Sequence, residues 1–95
     1  MKTVKFNGWT GEVEYGKYFN GRTAITLRDV EDGQPIATCT VNVPDEPVYR
    51  KEVHIKNYSE NSGITEALVE AGIIEPPHRK FQLGFVQIEV CKLIE

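Results

Sequence analysis

Four side chains in the sequence could hold a transition metal or act as a nucleophile with its base: Cys39, His54, His78 and Cys91. No two of them stand at the C-x-x-C or H-x-x-x-H spacing that gathers soft ligands in a structural zinc site. A nucleophilic cysteine would also need a base and an oxyanion donor within reach, and no spacing brings Cys91 to His54. We therefore expect no metal site and no catalytic residue, with both cysteines acting as small, reduced core residues.

Other motifs of catalysis and cofactor binding are missing from the sequence. It contains no G-x-S-x-G elbow, no P-loop and no dinucleotide fingerprint. Glu12 and Glu14 share a predicted strand face, as glycosidase carboxylates do, but exposed glutamates on an outer sheet face are the simpler interpretation. The prediction is a protein that is not an enzyme and binds no cofactor.

Aromatic residues are better candidates for a functional surface. Four of them lie along or beside the first predicted strands: Trp9, Tyr15, Tyr18 and Phe19. Tyr and Trp are favoured in interfaces because they bring rigid area with one polar atom, although such rings also fill small cores. Arg22 lies beside the same turn as Phe19, so an aromatic and basic spot could also stack on single-stranded nucleic acid.

Acidic residues form a second candidate surface. Five of them fall in turns that are expected at one end of the sheet: Asp29, Glu31, Asp32, Asp45 and Glu46. Acids on turns usually serve solvation, but they could also present negative charge to a basic partner, including a nucleic-acid-binding protein. A net charge of -3, from 14 acids and 11 bases, disfavours nucleic acid as the main partner because such affinity comes largely from phosphate neutralisation.

Alternation of apolar and polar residues with period two predicts the sheet that would position these surfaces. Its centre is a β-hairpin over residues 22–43, which reverses at Asp32-Gly33. Asn20-Gly21 is predicted to be a type I′ turn that folds residues 12–19 against this hairpin, giving a three-stranded antiparallel meander. Gly16 inside the first of these runs predicts a bulge or a close backbone approach.

The flanking segments extend the sheet. Residues 3–7 alternate as a short strand, and the two glycines around Trp9 predict a bend or a wide bulge after it. Two prolines in residues 44–50 predict a surface loop. Residues 52–58 alternate again as a fourth long run, in which His54 is expected to face solvent or to make a hydrogen bond.

One helix is predicted over residues 64–71, from apolar residues at positions i, i+3, i+4 and i+7: Ile64, Ala67, Leu68 and Ala71. Asn61 or Ser62 is expected to cap its start, Thr65 to face water, and Gly72 to end it in the left-handed conformation. A helix of about two turns is not stable alone in water, so it must dock on the sheet.

The last run, residues 81–94, is predicted to be one long strand after an exposed linker that contains His78. The chain is then a single α+β domain over residues 1–95, with a mainly antiparallel β-meander sheet or partly open barrel covered by one short helix. No apolar run approaches the roughly 18 residues of a membrane span, and the N-terminus has no signal-peptide pattern. We expect a cytoplasmic protein with no membrane partner.

Two stretches, YGKYFNGRTAITLRDVEDGQPIATCTVNVP and KNYSENSGITEALVEAGII, resemble a small, largely uncharacterised protein family of bacteria and their mobile elements, including phages and conjugative plasmids. The resemblance covers most of the chain and implies no activity or catalytic residue. It implies an accessory protein that acts on a host or element-encoded partner.

These observations together predict a small non-enzymatic interaction protein that binds another protein through sheet edges and turn residues. An exposed strand edge could also allow homo-oligomers by edge pairing. The alternative hypothesis is a single-stranded nucleic-acid-binding β-barrel module that uses Trp9, Tyr18, Phe19 and Arg22.

Overall fold

The structure is a computed structural model, and it describes residues 3–94 as seven β-strands and one α-helix that follows a short 3₁₀ turn. The helix is α1 (Ile64–Glu70), and the 3₁₀ turn is Ser59–Asn61. The strands are β1 (Thr3–Phe6), β2 (Trp9–Lys17), β3 (Thr23–Asp29), β4 (Pro35–Thr38), β5 (Glu52–Ile55), β6 (Arg79–Leu83) and β7 (Val86–Lys92).

The first four strands form an antiparallel sheet in the order β1-β2-β3-β4, which confirms the predicted meander and adds β1 to it. The last strand of the meander, β4, ends at Thr38, so the predicted continuation to Val43 is wrong. Asn7 and Gly8 connect β1 to β2 with φ values of 51° and 82°, and Phe6 pairs directly with Trp9. Two positive φ values in a two-residue loop are the signature of a type I′ turn. The bend or wide bulge predicted around Trp9 is therefore wrong, because the chain has already reversed when it reaches this residue.

The turn between β2 and β3 has one residue more than predicted. Tyr18 N donates to Arg22 O at 2.8 Å, and Gly21 N donates to Tyr18 O at 2.8 Å. Only Gly21 in this loop has a positive φ, at 87°. This is the three-residue hairpin loop in which a type I turn precedes a left-handed glycine, so the predicted hairpin is confirmed and its type I′ turn is wrong.

The close backbone approach predicted at Gly16 occurs instead at Gly11. Gly16 pairs regularly with Ala24, and a Cβ atom built on it would have no heavy atom within 4 Å. A Cβ atom on Gly11 would lie 3.1 Å from Ile36 Cδ1 and 3.3 Å from Leu27 Cβ. Gly11 therefore lets β4 side chains pack against β2.

We expect Gly11→Ala to lower the free energy of unfolding by about 1 kcal/mol or more, because its methyl group must displace Ile36. Gly16→Ala is expected to be neutral or to raise that free energy by about 0.5 kcal/mol, because alanine restricts the unfolded chain and meets nothing in the folded one. Urea denaturation of both variants checks this, and an equal loss at the two positions would contradict it.

The remaining strands form a second antiparallel sheet in the order β5-β7-β6. Residues after β4 join the two sheets, since Thr40 bridges to Ile55 and Val41 N donates to His54 O at 3.1 Å. Within residues 3–94 the sheets do not close into a barrel, so the α+β meander is the part of the fold prediction that is confirmed. The single final strand predicted over residues 81–94 is wrong, because Gly84, with φ of 59°, reverses the chain between β6 and β7.

Helix α1 docks on the sheets as predicted, and its last turn ends in a Schellman motif. Gly72 has φ of 77°, Gly72 N donates to Val69 O at 3.0 Å, and Ile73 N donates to Leu68 O at 2.9 Å. The main core joins both sheets to the helix, and its fully buried members include Ile25, Leu27, Ile55, Ile64 and Leu68. Neither helical segment within residues 3–94 has the length and apolar content needed to cross a membrane.

The predicted cap of α1 is wrong. Asn57 Oδ1 accepts hydrogen bonds from Gly63 N at 2.8 Å and from Thr65 N at 3.4 Å, so the capping side chain comes from six residues before the first of these amides. Asn61 instead donates to the Thr38 carbonyl at 2.6 Å. Thr65 is buried rather than exposed, and its hydroxyl donates to Glu89 Oε1 at 2.6 Å.

Both cysteines are free and fully buried in the main core. Burial raises the pKa of Cys39 to about 12 and that of Cys91 to about 12, with Glu89 adding to the second. Because the thiolate is the reactive form, both side chains behave as small apolar groups at neutral pH.

Candidate functional site

One group of the candidate residues lies at the end of the first sheet that holds the β3–β4 turn. Trp9 and Asp32 line a shallow cavity of about 330 Å³ together with Asp29. Two of the carboxylates also cap the turn itself, since Asp29 Oδ1 accepts from Glu31 N at 2.9 Å and Asp32 Oδ1 accepts from Gln34 N at 2.9 Å. Stabilising the turn therefore accounts for these two acids without a partner.

A second group lies at the opposite end of β2. Arg22 donates to three backbone carbonyls of the loop between β4 and β5, those of Val43 at 2.7 Å, Pro44 at 3.2 Å and Glu46 at 2.6 Å. Asp45 and Glu46 are therefore held beside the β2–β3 turn, so the expectation that all five acids share one end is wrong. Trp9 is the first residue of the nine-residue strand β2, and this group lies beyond its last residue, at least roughly 26 Å away at about 3.3 Å per residue.

Tyr18 and Arg22 at this second end are already engaged, whereas Phe19 is not. The Tyr18 and Thr40 hydroxyls are hydrogen-bonded at 2.9 Å, and the Arg22 guanidinium donates to the loop carbonyls. Phe19 is 94% exposed at the tip of the turn. These residues do not form one continuous stacking platform with Trp9.

Tyr15 lies at a third place, the open end of the main core. A groove of about 530 Å³ begins there, and its walls are mostly apolar: Tyr15, Gly16, Lys17, Thr23, Gly72, Ile73, Leu93 and Ile94. Tyr15 is half exposed, and Ile94 is partly exposed on the other wall. The groove is large enough to receive an apolar side chain from another molecule.

A strand edge without a partner runs beside this groove. Within residues 3–94, β1 pairs only with residues 9–12 of β2, so no strand pairs with the outer side of Tyr15, Gly16 and Lys17. Val30 N donates to Thr10 O and Tyr18 N donates to Arg22 O, so the even-numbered residues of β2 bond to β3. The backbone N–H and C=O groups of Tyr15 and Lys17 therefore point outward, since alternate residues of an antiparallel strand face opposite sides.

A buried polar cluster on the second sheet was not predicted from the sequence. The Glu52 side chain is only 6% exposed, and it accepts hydrogen bonds from Tyr49 N at 3.0 Å, His78 Nε2 at 2.6 Å and Arg79 Nη2 at 2.9 Å. Burial raises the pKa of Glu52, but these hydrogen bonds outweigh burial and lower it to about 2. His78, predicted as an exposed linker residue, is instead tied to this carboxylate.

His54 lies next to that cluster and is 3% exposed. Its ring packs edge-on against Phe81 with 5.0 Å between ring centroids, and neither ring nitrogen makes a hydrogen bond of acceptable geometry. The prediction that His54 faces solvent or makes a hydrogen bond is therefore wrong. Burial lowers its pKa, and the charges of Arg22 and Arg79 lower it further.

Comparison of the chain with protein-family models, with curated proteins and with solved structures gives no match. Within residues 3–94, no group of three His, Cys, Asp or Glu side chains is placed to hold a metal ion.

Proposed function

We propose that this protein is a small non-enzymatic interaction protein that binds an extended segment of another protein along the outer edge of β2. The observation that carries the proposal is the free backbone edge at Tyr15 and Lys17 beside an apolar groove. An added strand gains affinity from main-chain hydrogen bonds and specificity from a pocket for one of its side chains. Here the unpaired main chain and the apolar groove meet at the same three residues of β2, Tyr15 to Lys17.

The groove suggests the chemistry of the partner segment. Its apolar walls favour an apolar side chain, and Ile73, Leu93 and Ile94 would cover that side chain on one side. Lys17 forms no ion pair within residues 3–94, so an acidic residue of the segment would complement it. The resemblance described above favours a partner encoded by a host or by a mobile element.

Selection of binding peptides tests this proposal directly. A displayed library of random linear peptides is panned against the protein, and the affinity of the selected peptide is measured by calorimetry. We expect Lys17→Pro to weaken binding by about tenfold or more, because proline removes an outward N–H group. Lys17→Ala, which keeps that N–H group, is the matched control and is expected to weaken binding less.

A second pair of variants tests the groove itself. Ile94→Asp places a charge on its apolar wall and is expected to weaken peptide binding by about tenfold or more. Phe85→Asp makes the same kind of change at a fully exposed hairpin tip and is expected to leave binding unchanged. Equal binding by Ile94→Asp and the unsubstituted protein would contradict the proposed site.

A further inference from the structure

The loop between the two sheets, residues 43–50, is held closed over the outer face of the second sheet, and we call it the lid. Arg22 donates to three of its carbonyls from one side, and Arg79 Nη2 donates to the Pro47 carbonyl at 3.1 Å from the other. The lid contains no strand or helix that could order it alone. Two arginine side chains therefore supply much of what keeps it in place.

The outer face of the second sheet carries a second apolar layer, separate from the main core. The strand register places His54, Val90 and Arg79 side by side, and Phe81 beside Ile88. Ile88 and Val90 are fully buried, yet they do not belong to the core cluster that contains the helix. Opening of the lid would therefore expose an apolar strip and the His54 ring together.

The groups that face His54 favour its neutral form. Arg22 approaches from the β2–β3 turn and Arg79 from β6, whereas Glu46 approaches from the lid and acts against them more weakly. Glu52, on the same strand face, already accepts from Arg79 and His78. The Pro47 carbonyl lies near the ring and acts in the same direction as Glu46, but it makes no hydrogen bond of acceptable geometry with either nitrogen.

We propose that the lid is an acid-sensitive device, closed over neutral His54 and opened when that ring gains a proton. A second proton on the ring would add a positive charge that Arg22 and Arg79 disfavour, and neither ring nitrogen has a hydrogen-bond partner of acceptable geometry within residues 3–94. Burial of such an unpaired charge is strongly unfavourable. Opening lets water solvate the imidazolium ion and exposes the apolar strip of the second sheet. No residue of the lid lines the β2 groove, so either proposal can fail without the other.

The test follows lid amides and the His54 ring by NMR from about pH 7.5 to about pH 5, the range in which histidine titrates. Glu46 N, bonded to Val43 O at 3.1 Å, and Tyr49 N, bonded to Glu52 Oε1 at 3.0 Å, report on the lid. We expect their hydrogen-exchange protection to fall by up to about tenfold per pH unit, the limit for one coupled proton, with the same midpoint as the ring titration. Amides of β3 should keep their protection.

Two variants assign the response. His54→Phe should remove the pH dependence of lid protection, whereas His78→Gln, which can still donate to Glu52, should keep it. A response that persists in His54→Phe, or one that disappears in His78→Gln, would overturn the proposal. If His54→Phe does not fold, a lid midpoint that differs from the His54 ring midpoint in the unsubstituted protein overturns it equally.

Discussion

Replacing Glu52 by alanine is expected to lower the free energy of unfolding at neutral pH by about 3 kcal/mol, as the loss of one partner from a buried ion pair does. Its carboxylate accepts three hydrogen bonds, from Tyr49 N, His78 and Arg79, and its side chain is nearly inaccessible to solvent. The substitution leaves the Tyr49 N–H group without its acceptor and removes the counter-ion of Arg79. Urea denaturation at pH 7 measures the change.

Glu14→Ala is the matched control, because Glu14 also pairs with an arginine but at the surface. Its carboxylate lies 3.0 Å from Arg28 Nε, with side chains 56% and 43% exposed respectively. Exposed pairs of this kind contribute below about 1 kcal/mol. If both variants lost a similar free energy of unfolding, burial of Glu52 would not strengthen its ion pair beyond that of an exposed one.

The lowered pKa of the Glu52 carboxyl leads us to expect that the free energy of unfolding depends on pH. The folded-state pKa of Glu52 is lowered from 4.5 to about 2, so its stabilising effect is fully present above 4.5 and is lost as pH falls through about 2. The lowered pKa of His54 also makes the folded state less stable as pH falls, but at higher pH. The unfolded chain begins to bind this proton near 6.5, whereas the folded protein resists it. Glu52→Ala should therefore flatten only the more acidic part of the profile.

Local patterns were enough to predict most of the first sheet and the end of the helix. Alternation placed β3, whose Ile25 and Leu27 are fully buried, and Asp32-Gly33 marked its turn, where Gly33 has φ of 74°. Gly72 was expected to end the helix, and its Schellman hydrogen bonds confirm this. In each case the decisive residues lie within a few positions of one another, which is the range that sequence patterns report.

The errors arose where distant segments decide the outcome. Alternation in β5 indicated one polar face, yet all four residues of that strand are buried because the lid and Arg79 return to cover the outer side. The hairpin at Gly84 was missed because apolar residues stand on both sides of it, with no polar break. Asn57 was missed as a cap because an intervening 3₁₀ turn brings it back to the helix.

The candidate site shows the same division. An aromatic residue on an early strand is a candidate for an interface, and the structure places this one, Tyr15, in the groove. Ile73 and Ile94, on the other wall, could not be predicted as groove residues from the sequence, because only the packing of the second sheet against the first brings them there. The unpaired stretch of β2 also depends on a distant segment, since within residues 3–94 the pairing of β1 ends at Glu12.

Leu68→Ala is expected to lower the free energy of unfolding by about 3 kcal/mol, through lost apolar burial and the cavity left behind. Leu68 is fully buried on α1 and belongs to the core that joins the helix to both sheets. The α1 helix has only seven residues, too few to persist without that packing. The loss should therefore include melting of α1, which the circular dichroism of the variant would report as reduced helix content below its unfolding transition.

Glu70→Ala tests whether packing or helix propensity holds α1 in place. Glu70 is exposed in the last turn of the same helix, and alanine has the higher helix propensity. If propensity limited the helix, Glu70→Ala would stabilise the protein measurably; if docking limits it, the change should stay within about 0.5 kcal/mol of zero. Ile64 and Leu68 of α1 are hydrophobic side chains with no exposed surface. We therefore expect docking to contribute more to the stability of α1 than helix propensity does.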